Sequence, residues 1–538
     1  MKKTILLLSA VLTLFTATAQ TIGANAEGLL EKYQTSDVGL IKELGHIAIT
    51  FPGGASGKYN YARKDVPGFG MRLDSIYSWN ARYGKDENGE AAIDNDIRDY
   101  NTDKAEDRSY LYDLAEIQYQ TGCEIIWKIN VFSSPAEVIA SVNDFLSIKV
   151  FDDLNWTPRV SYFDCGNELY FIDLNGDGQN MDGEIYIEMC IPYINELKSK
   201  FPLIPIALNY AQDVNNKAHR KFNDAVEEYI NSNPGKISAV DPHPYLSDAN
   251  DLGDACELHP SYNGYKQQLT RINYTSEFNS QLHEAFNLYN ETWQNTTYYR
   301  SLFDTINKTM PGIKIITTEF QSNPITLWAD VISNAAFLFY TFTEYRNEVE
   351  YFLAHNLLGS YDFAWIYNHG TSAKYYAAKL ANELPLNYVD IPEDGKITID
   401  SEGEHWFRYV NMTDEFIYVS INTTFESEVS VLNNGLWGLE NYSTMGNANF
   451  YNKTPKQSVE VFTINSTDQE IKSNSFGYIK ITVKKKEVEC LKGCTNPTAC
   501  NYNPDAICDD GSCVYKIRFL FFRYCPKIPV KLAPQTKF

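Results

Sequence analysis

Between residues 21 and 383 the chain repeats one pattern: a short β-branched or aromatic run, then a longer amphipathic stretch. The strand-like runs are 21–26, 46–51, 124–132, 159–165, 203–209, 237–241, 313–318 and 361–367. Helical periodicity fills 107–121, 135–146, 184–200, 216–232, 278–308 and 371–383. Eight strands alternating with helices predict an α/β fold, a (β/α)8 barrel over residues 20–384, because closing the parallel sheet leaves no edge to cover. An open doubly wound sheet is the alternative reading of the same alternation.

The flanks differ in style. Residues 1–19 read as an export signal: Lys2 and Lys3, an apolar run from Ile5 to Phe15, then Ala17-Thr18-Ala19 as a small-x-small cleavage site. The protein is therefore expected to be secreted, and no later stretch is long and apolar enough to span a bilayer. From 385 to 486, short alternating runs such as HWFRYVN, EFIYVSINTT and GYIKITVK predict an antiparallel β-sandwich. Residues 487–515 carry cysteines spaced C-x5-C-x7-C-x4-C in a segment too small to bury a core, so disulfides are expected to hold it. This stretch resembles the Cys/Asp/Asn repeats near the C-termini of large secreted bacterial proteins. Asp505, Asp509 and Asp510 there read either as turn residues, the favoured view, or as calcium ligands. The tail, 516–538, has six basic residues and no acid, and receives no assignment.

Lys and Arg total 46 against 69 Asp and Glu, a formal charge of −23. Such a surface argues against nucleic acid and anionic lipid as partners. Other chemistries lack their residues. His283-Glu284 has no second His four positions after the first, no G-x-S-x-G elbow occurs, no CxxC pair offers a zinc site, and Lys58 is followed by Tyr59 rather than Ser or Thr.

In a (β/α)8 barrel, reactive groups stand at the C-terminal ends of strands. The fourth run ends in Asp164-Cys165-Gly166-Asn167-Glu168, and the seventh in Thr317-Thr318-Glu319. These runs lie on roughly opposite sides of an eight-strand ring, so both carboxylates can face one central pocket. Two carboxyls across a sugar suit glycosidic cleavage, one protonating the leaving oxygen while the other attacks the anomeric carbon or activates water. The NE and TTE steps, about 150 residues apart, resemble the retaining glycoside hydrolases of clan A, such as α-L-arabinofuranosidases, heparanase-like glucuronidases and β-agarases. The resemblance implies Glu168 as acid/base, Glu319 as nucleophile, and Asn167 as the ligand of the hydroxyl beside the anomeric carbon. It further implies that His243 or Tyr245, in Asp241-Pro242-His243-Pro244-Tyr245, holds the nucleophile, and that Trp365 lies under the sugar. Asn130 and Trp127, on the third run, are weaker substrate-binding candidates. Arabinofuranosidase-like enzymes carry a step similar to Pro52-Gly53-Gly54, with an Arg two residues before the Pro; here that position is Thr50.

Just past Glu168, residues 173–184 match D-x-[DN]-x-[DN]-G-x5-E at every fixed position. Asp173, Asn175, Asp177 and Glu184 are the expected side-chain ligands of a structural Ca²⁺, with Gln179 contributing its carbonyl. A metal-free Asp/Asn/Gly loop is the alternative. No organic cofactor is expected. The sequence reads as a secreted glycoside hydrolase acting on a polysaccharide or oligosaccharide by double displacement. A non-catalytic glycan-binding protein, and a lyase or transglycosylase on the same scaffold, are the rivals.

Overall fold

The computed structural model describes residues 20–26, 37–54, 110–149, 155–171, 180–246, 297–322, 332–359, 365–367 and 370–384. It also describes strands between 397 and 485, and most of 492–524. Eight parallel strands close into a barrel: β1 (Thr21–Asn25), β2 (Ala48–Phe51), β3 (Glu124–Ile129), β4 (Tyr162–Cys165), β5 (Ile206–Tyr210), β6 (Ala239–Pro242), β7 (Lys314–Thr317) and β8 (Val349–Ala354). Each strand hydrogen-bonds its sequence neighbours, and β1 pairs with both β2 and β8 to shut the ring. A helix follows every strand: α1 (Asp37–Glu43), α2 (Tyr110–Thr121), α3 (Pro135–Leu146), α4 (Gly183–Lys200), α5 (Lys217–Ser232), α6 (Tyr298–Thr309), α7 (Ile332–Glu344) and α8 (Ala373–Glu383). The expected (β/α)8 architecture is thus the observed one.

The eighth strand corrects the sequence reading. It is Val349–Ala354, not 361–367. Ile366–Tyr367 instead joins Leu358–Gly359 and Gly370–Thr371 in a small separate sheet. The helix before β8 carries three Phe and two Ala, and only the short polar step Arg346-Asn347-Glu348 separates this apolar helix from the apolar strand.

Local chemistry explains the sharp boundaries elsewhere. Ser134 caps α3: its hydroxyl accepts the Glu137 N–H while the Glu137 carboxylate accepts the Ser134 N–H, and Pro135 occupies the first turn, where no N–H is needed. Asp182 caps α4 and Asn216 caps α5.

Strand side chains alternate, and here the alternation makes two layers inside the ring. Ala48, Ile126, Tyr162, Ala207, Ala239, Ile316, Tyr351 and Leu353 form one apolar cluster, distinct from the larger core between strands and helices. Two residues further along β2 to β6 come Thr50, Lys128, Asp164, Asn209 and Asp241, all buried and all polar. The barrel is therefore greasy below and polar toward the strand ends.

After the barrel, the described strands pair antiparallel in a three-stranded sheet (397–400, 429–433, 470–473) and a five-stranded one (405–410, 415–421, 478–485, 437–445, 461–463). In the small module Cys494 is bonded to Cys513, and Cys500 is also oxidised. Cys123, Cys165 and Cys190 are free and buried. No described helix is long and apolar enough to cross a membrane.

Closure of the ring depends on one missing side chain. Gly23 of β1 faces Ala48 of β2, and a Cβ at Gly23 would lie 1.9 Å from the Ala48 carbonyl oxygen. Backbone cannot yield as a flexible side chain would, so Gly23→Ala should lower the unfolding free energy by about 1–3 kcal/mol or more. Urea titration checks this; an unchanged midpoint would contradict the close approach of β1 to β2.

Candidate active site

The turn after β4 is built to hold one carboxylate in an unusual place. Gly166 has φ +90°, and a Cβ there would meet Leu169 Cδ1 at 2.5 Å. Two residues on, Glu168 itself has φ +49°, which a non-glycine residue adopts only under constraint from its surroundings. The constraint is visible. The Tyr186 hydroxyl, from α4, donates to the Cys165 carbonyl (2.8 Å) and accepts the Asn209 N–H (2.8 Å), locking the end of β4 to β5. The Asn209 side chain reaches the Gly166 carbonyl and the Leu169 N–H, both at 3.4 Å.

The second carboxylate follows β7. Phe320 anchors that segment, its ring 4.3 Å from Phe352 and 5.3 Å from Phe342. Beyond the barrel, Tyr245–Leu246 and Gln321–Ser322 continue the parallel pairing, with Tyr245 opposite Gln321. This extension carries Tyr245 alongside Glu319, and the Tyr245 hydroxyl donates to Glu319 Oε1. The other oxygen, Oε2, is buried and has no hydrogen bond among the described residues.

His243 stands between the two glutamates. Its Nδ1 lies 3.3 Å from Glu168 Oε1 and 3.9 Å from Glu319 Oε2. One ligand atom from each of Glu168, His243 and Glu319 falls within 4.8 Å of the other two. Exposure separates the pair: the Glu168 side chain is 21% exposed, that of Glu319 only 8%.

Beneath them is a buried ionic cluster to which the sequence analysis gave no role. Lys128 Nζ, from β3, contacts Asp164 of β4 and Asp241 of β6, the latter at 2.8 Å. Asp241 Oδ2 also meets His243 Nε2 at 3.0 Å and accepts the Thr318 hydroxyl at 2.5 Å, while Oδ1 accepts the Thr318 N–H at 2.8 Å. Burial opposes charge on Lys128, but the two carboxylates outweigh it and hold the ammonium protonated. Asp164 moves the other way: burial and the neighbouring Asp241 carboxylate push its pKa well up, against the pull of Lys128. Asp241 is buried too, yet Lys128 and His243 keep it well below the usual carboxylate range. Burial works against an imidazolium at His243, but Asp241 prevails and its pKa is pushed up to about 10. The signal for this cluster was a charged residue at an inward position of an otherwise apolar strand, as in Ile126-Trp127-Lys128-Ile129.

The remaining expected residues divide. Asn167 is buried beside Glu168, and its Oδ1 has no hydrogen-bond partner among the described residues. Asn130 is turned into its own loop, Nδ2 donating to Ser133 Oγ and Oδ1 accepting the Phe132 N–H. Trp127 packs between Phe51 and Phe145. Trp365 lies outside the eighth strand and is wholly buried, edge-on to Phe342, as part of the core. Of the calcium loop, Asp173, Asn175, Asp177 and Gln179 lie outside the described residues. Glu184 does open α4, as position twelve should, and Asp182 caps that helix while pairing with Lys221.

No protein-family model matches the chain, and no curated protein matches its sequence. Solved structures do share its fold. A family 51 α-L-arabinofuranosidase from Bifidobacterium longum aligns over 87% of this chain and 97% of its own, with 12% identity and a TM-score of 0.51. An α-L-arabinofuranosidase from Thermotoga maritima gives the same identity, coverage and score. At that identity the likeness is one of fold.

The ionic cluster makes a sharp prediction. Lys128→Met keeps most of the unbranched side chain and removes its charge, leaving two buried carboxyls without their shared cation. Breaking a buried pair in this way costs about 3–5 kcal/mol. Thermal or urea unfolding at neutral pH should show a loss of that order, and wild-type stability would contradict the pairing.

Proposed function

We propose that this chain is an exported glycoside hydrolase that cleaves a polysaccharide or oligosaccharide with retention, through a glycosyl-enzyme ester on Glu319. The observation that carries the reading is the meeting of Glu168 and Glu319, with His243, within 4.8 Å at the mouth of the barrel. Retaining pairs stand about 5–5.5 Å apart, whereas about 6.5–9.5 Å is needed when a water must fit between the carboxylate and the sugar.

The surroundings support distinct roles. Glu319 has one oxygen engaged by Tyr245, while the other makes no hydrogen bond among the described residues and has His243 Nδ1 at 3.9 Å, so Oε2 is the atom directed at the anomeric carbon. Glu168, the more exposed of the two, is placed to protonate the departing oxygen and then to take a proton from the incoming water. The unpartnered Asn167 Oδ1 would accept a hydrogen bond from the adjacent sugar hydroxyl. The fold likeness to α-L-arabinofuranosidases suits this chemistry. Thr50, where such enzymes carry Arg, leaves the sugar open.

A panel of plant and algal polysaccharides, read by reducing-sugar release, tests the activity. Glu168→Gln should lower turnover by about 10²–10⁴-fold, and Glu319→Gln at least as much. An activated aryl glycoside needs no protonated leaving group. Its cleavage to the ester should therefore be spared in Glu168→Gln and lost in Glu319→Gln. Release unaffected by either change would place the chemistry at another site, and no release from any glycan would leave a binding protein.

We also propose that residues 173–184 hold a structural Ca²⁺, which would brace the segment between Glu168 and α4. Glu184 at the start of that helix fits the last ligand position. Chelation should lower the melting temperature, added Ca²⁺ should restore it, and Asp173→Ala should abolish the response. A melting temperature indifferent to chelator would remove the metal.

A further inference from the structure

Resting on the hydrolase reading of the site, we propose that Asp241 is its positioning residue: one buried carboxylate seats the residue that precedes Glu319 and orients the imidazole that faces both glutamates. The geometry is a hub. Oδ1 accepts the Thr318 N–H at 2.8 Å, and Oδ2 accepts the Thr318 hydroxyl at 2.5 Å. Oδ2 also contacts Lys128 Nζ at 2.8 Å and His243 Nε2 at 3.0 Å. Two oxygens thus receive four donors from three strands' ends, and none of the side chains involved is more than 1% exposed.

Two consequences follow from hydrogen-bond chemistry. Thr318 is fixed through both its backbone and its side chain, so the next residue, Glu319, leaves β7 in one direction only. Nε2 also lies 3.0 Å from the Thr318 hydroxyl and 3.3 Å from Lys128 Nζ; the hydroxyl donates to Asp241, and the ammonium is engaged by Asp164 and Asp241, so Nε2 carries its own proton toward the Asp241 carboxylate. Among the described residues, the other nitrogen, Nδ1, faces only acceptors, Glu168 Oε1 and Glu319 Oε2. A proton there makes both contacts attractive, and the ring is then an imidazolium. The charged groups around it all belong to this site: Lys128 from β3, Asp164 and Glu168 from β4 and its turn, Asp241 from β6, and Glu319 after β7. Asp241 is the anion in direct contact with its buried edge. His243 is then a fixed cation between the glutamates, held by a carboxylate that never touches the sugar.

The state of the ring can be read without any substrate. Full-length protein labelled with ¹⁵N-histidine is examined by long-range ¹H–¹⁵N NMR at pH 8, where an ordinary imidazole near 6.5 is neutral. The His243 ring, assigned by its disappearance in His243→Gln, should have both nitrogens protonated. In Asp241→Asn, an isosteric change, it should become neutral. On the glycan degraded by the wild type, this variant should lose about 10–100-fold in kcat, as is usual for residues that orient reacting groups, with KM nearly unchanged. A His243 ring neutral at pH 8 in the wild type overturns the proposal even if the variant fails to fold. So does a ring still doubly protonated in Asp241→Asn. Turnover surviving Glu319→Gln would instead sink the hydrolase reading and leave the ring measurement intact.

Discussion

A wholly buried ammonium, Lys128, flanked by Asp164 and Asp241, is the interaction on which the site depends. Stripping water from such ions costs several kcal/mol each unless partners of good geometry replace it. Those partners come from β3, β4 and β6, and Thr318 after β7 completes the set. The residues are 36 or more positions apart in the chain, and only the closed ring brings them together. The cluster therefore reports on barrel register. A shift of any of these strands by one residue would turn its inward charge outward into the apolar layer against the helices.

From that layer upward the chemistry is organised by alternation. Ile126 to Lys128, Tyr162 to Asp164 and Ala239 to Asp241 each change from apolar packing to charge in one step of two residues. One further step along the sixth strand reaches His243. The ring is held from below by a carboxylate and presents its other nitrogen to Glu168 and Glu319 above. The two glutamates have unlike supports. Glu168 sits in a left-handed turn locked by Tyr186 and Asn209, while Glu319 is gripped by Tyr245 and by the aromatic packing of Phe320. Placement and solvent access are set separately for each carboxyl, as two different roles require.

Much of this was legible in the sequence because it is carried by local patterns. The first seven strands and α3, α4, α5 and α8 appear near the positions that periodicity assigns, and Glu168 and Glu319 stand just beyond the strands expected to carry them. The eighth strand was not legible. YDFAWIY has the stronger β composition, whereas VEYFLA carries Glu350, whose carboxylate is needed at the foot of the barrel to meet Lys314 and the Tyr162 hydroxyl. Trp365 was misplaced with that strand. Lys128, Asp164 and Asp241 were hidden for a different reason. A lone charge in an apolar run is explained only by partners on other strands, and their pairing is a property of the ring rather than of any segment. Asn130 shows the converse: an exposed-looking amide at a strand end is used by its own turn.

Two carboxyls at this spacing across one bond leave a stereochemical record. The most direct test follows the first product of polysaccharide cleavage by ¹H NMR before mutarotation. The account predicts a newly formed anomeric proton with the same configuration as the bond that was broken. Release of the opposite anomer as the first product would contradict attack by Glu319.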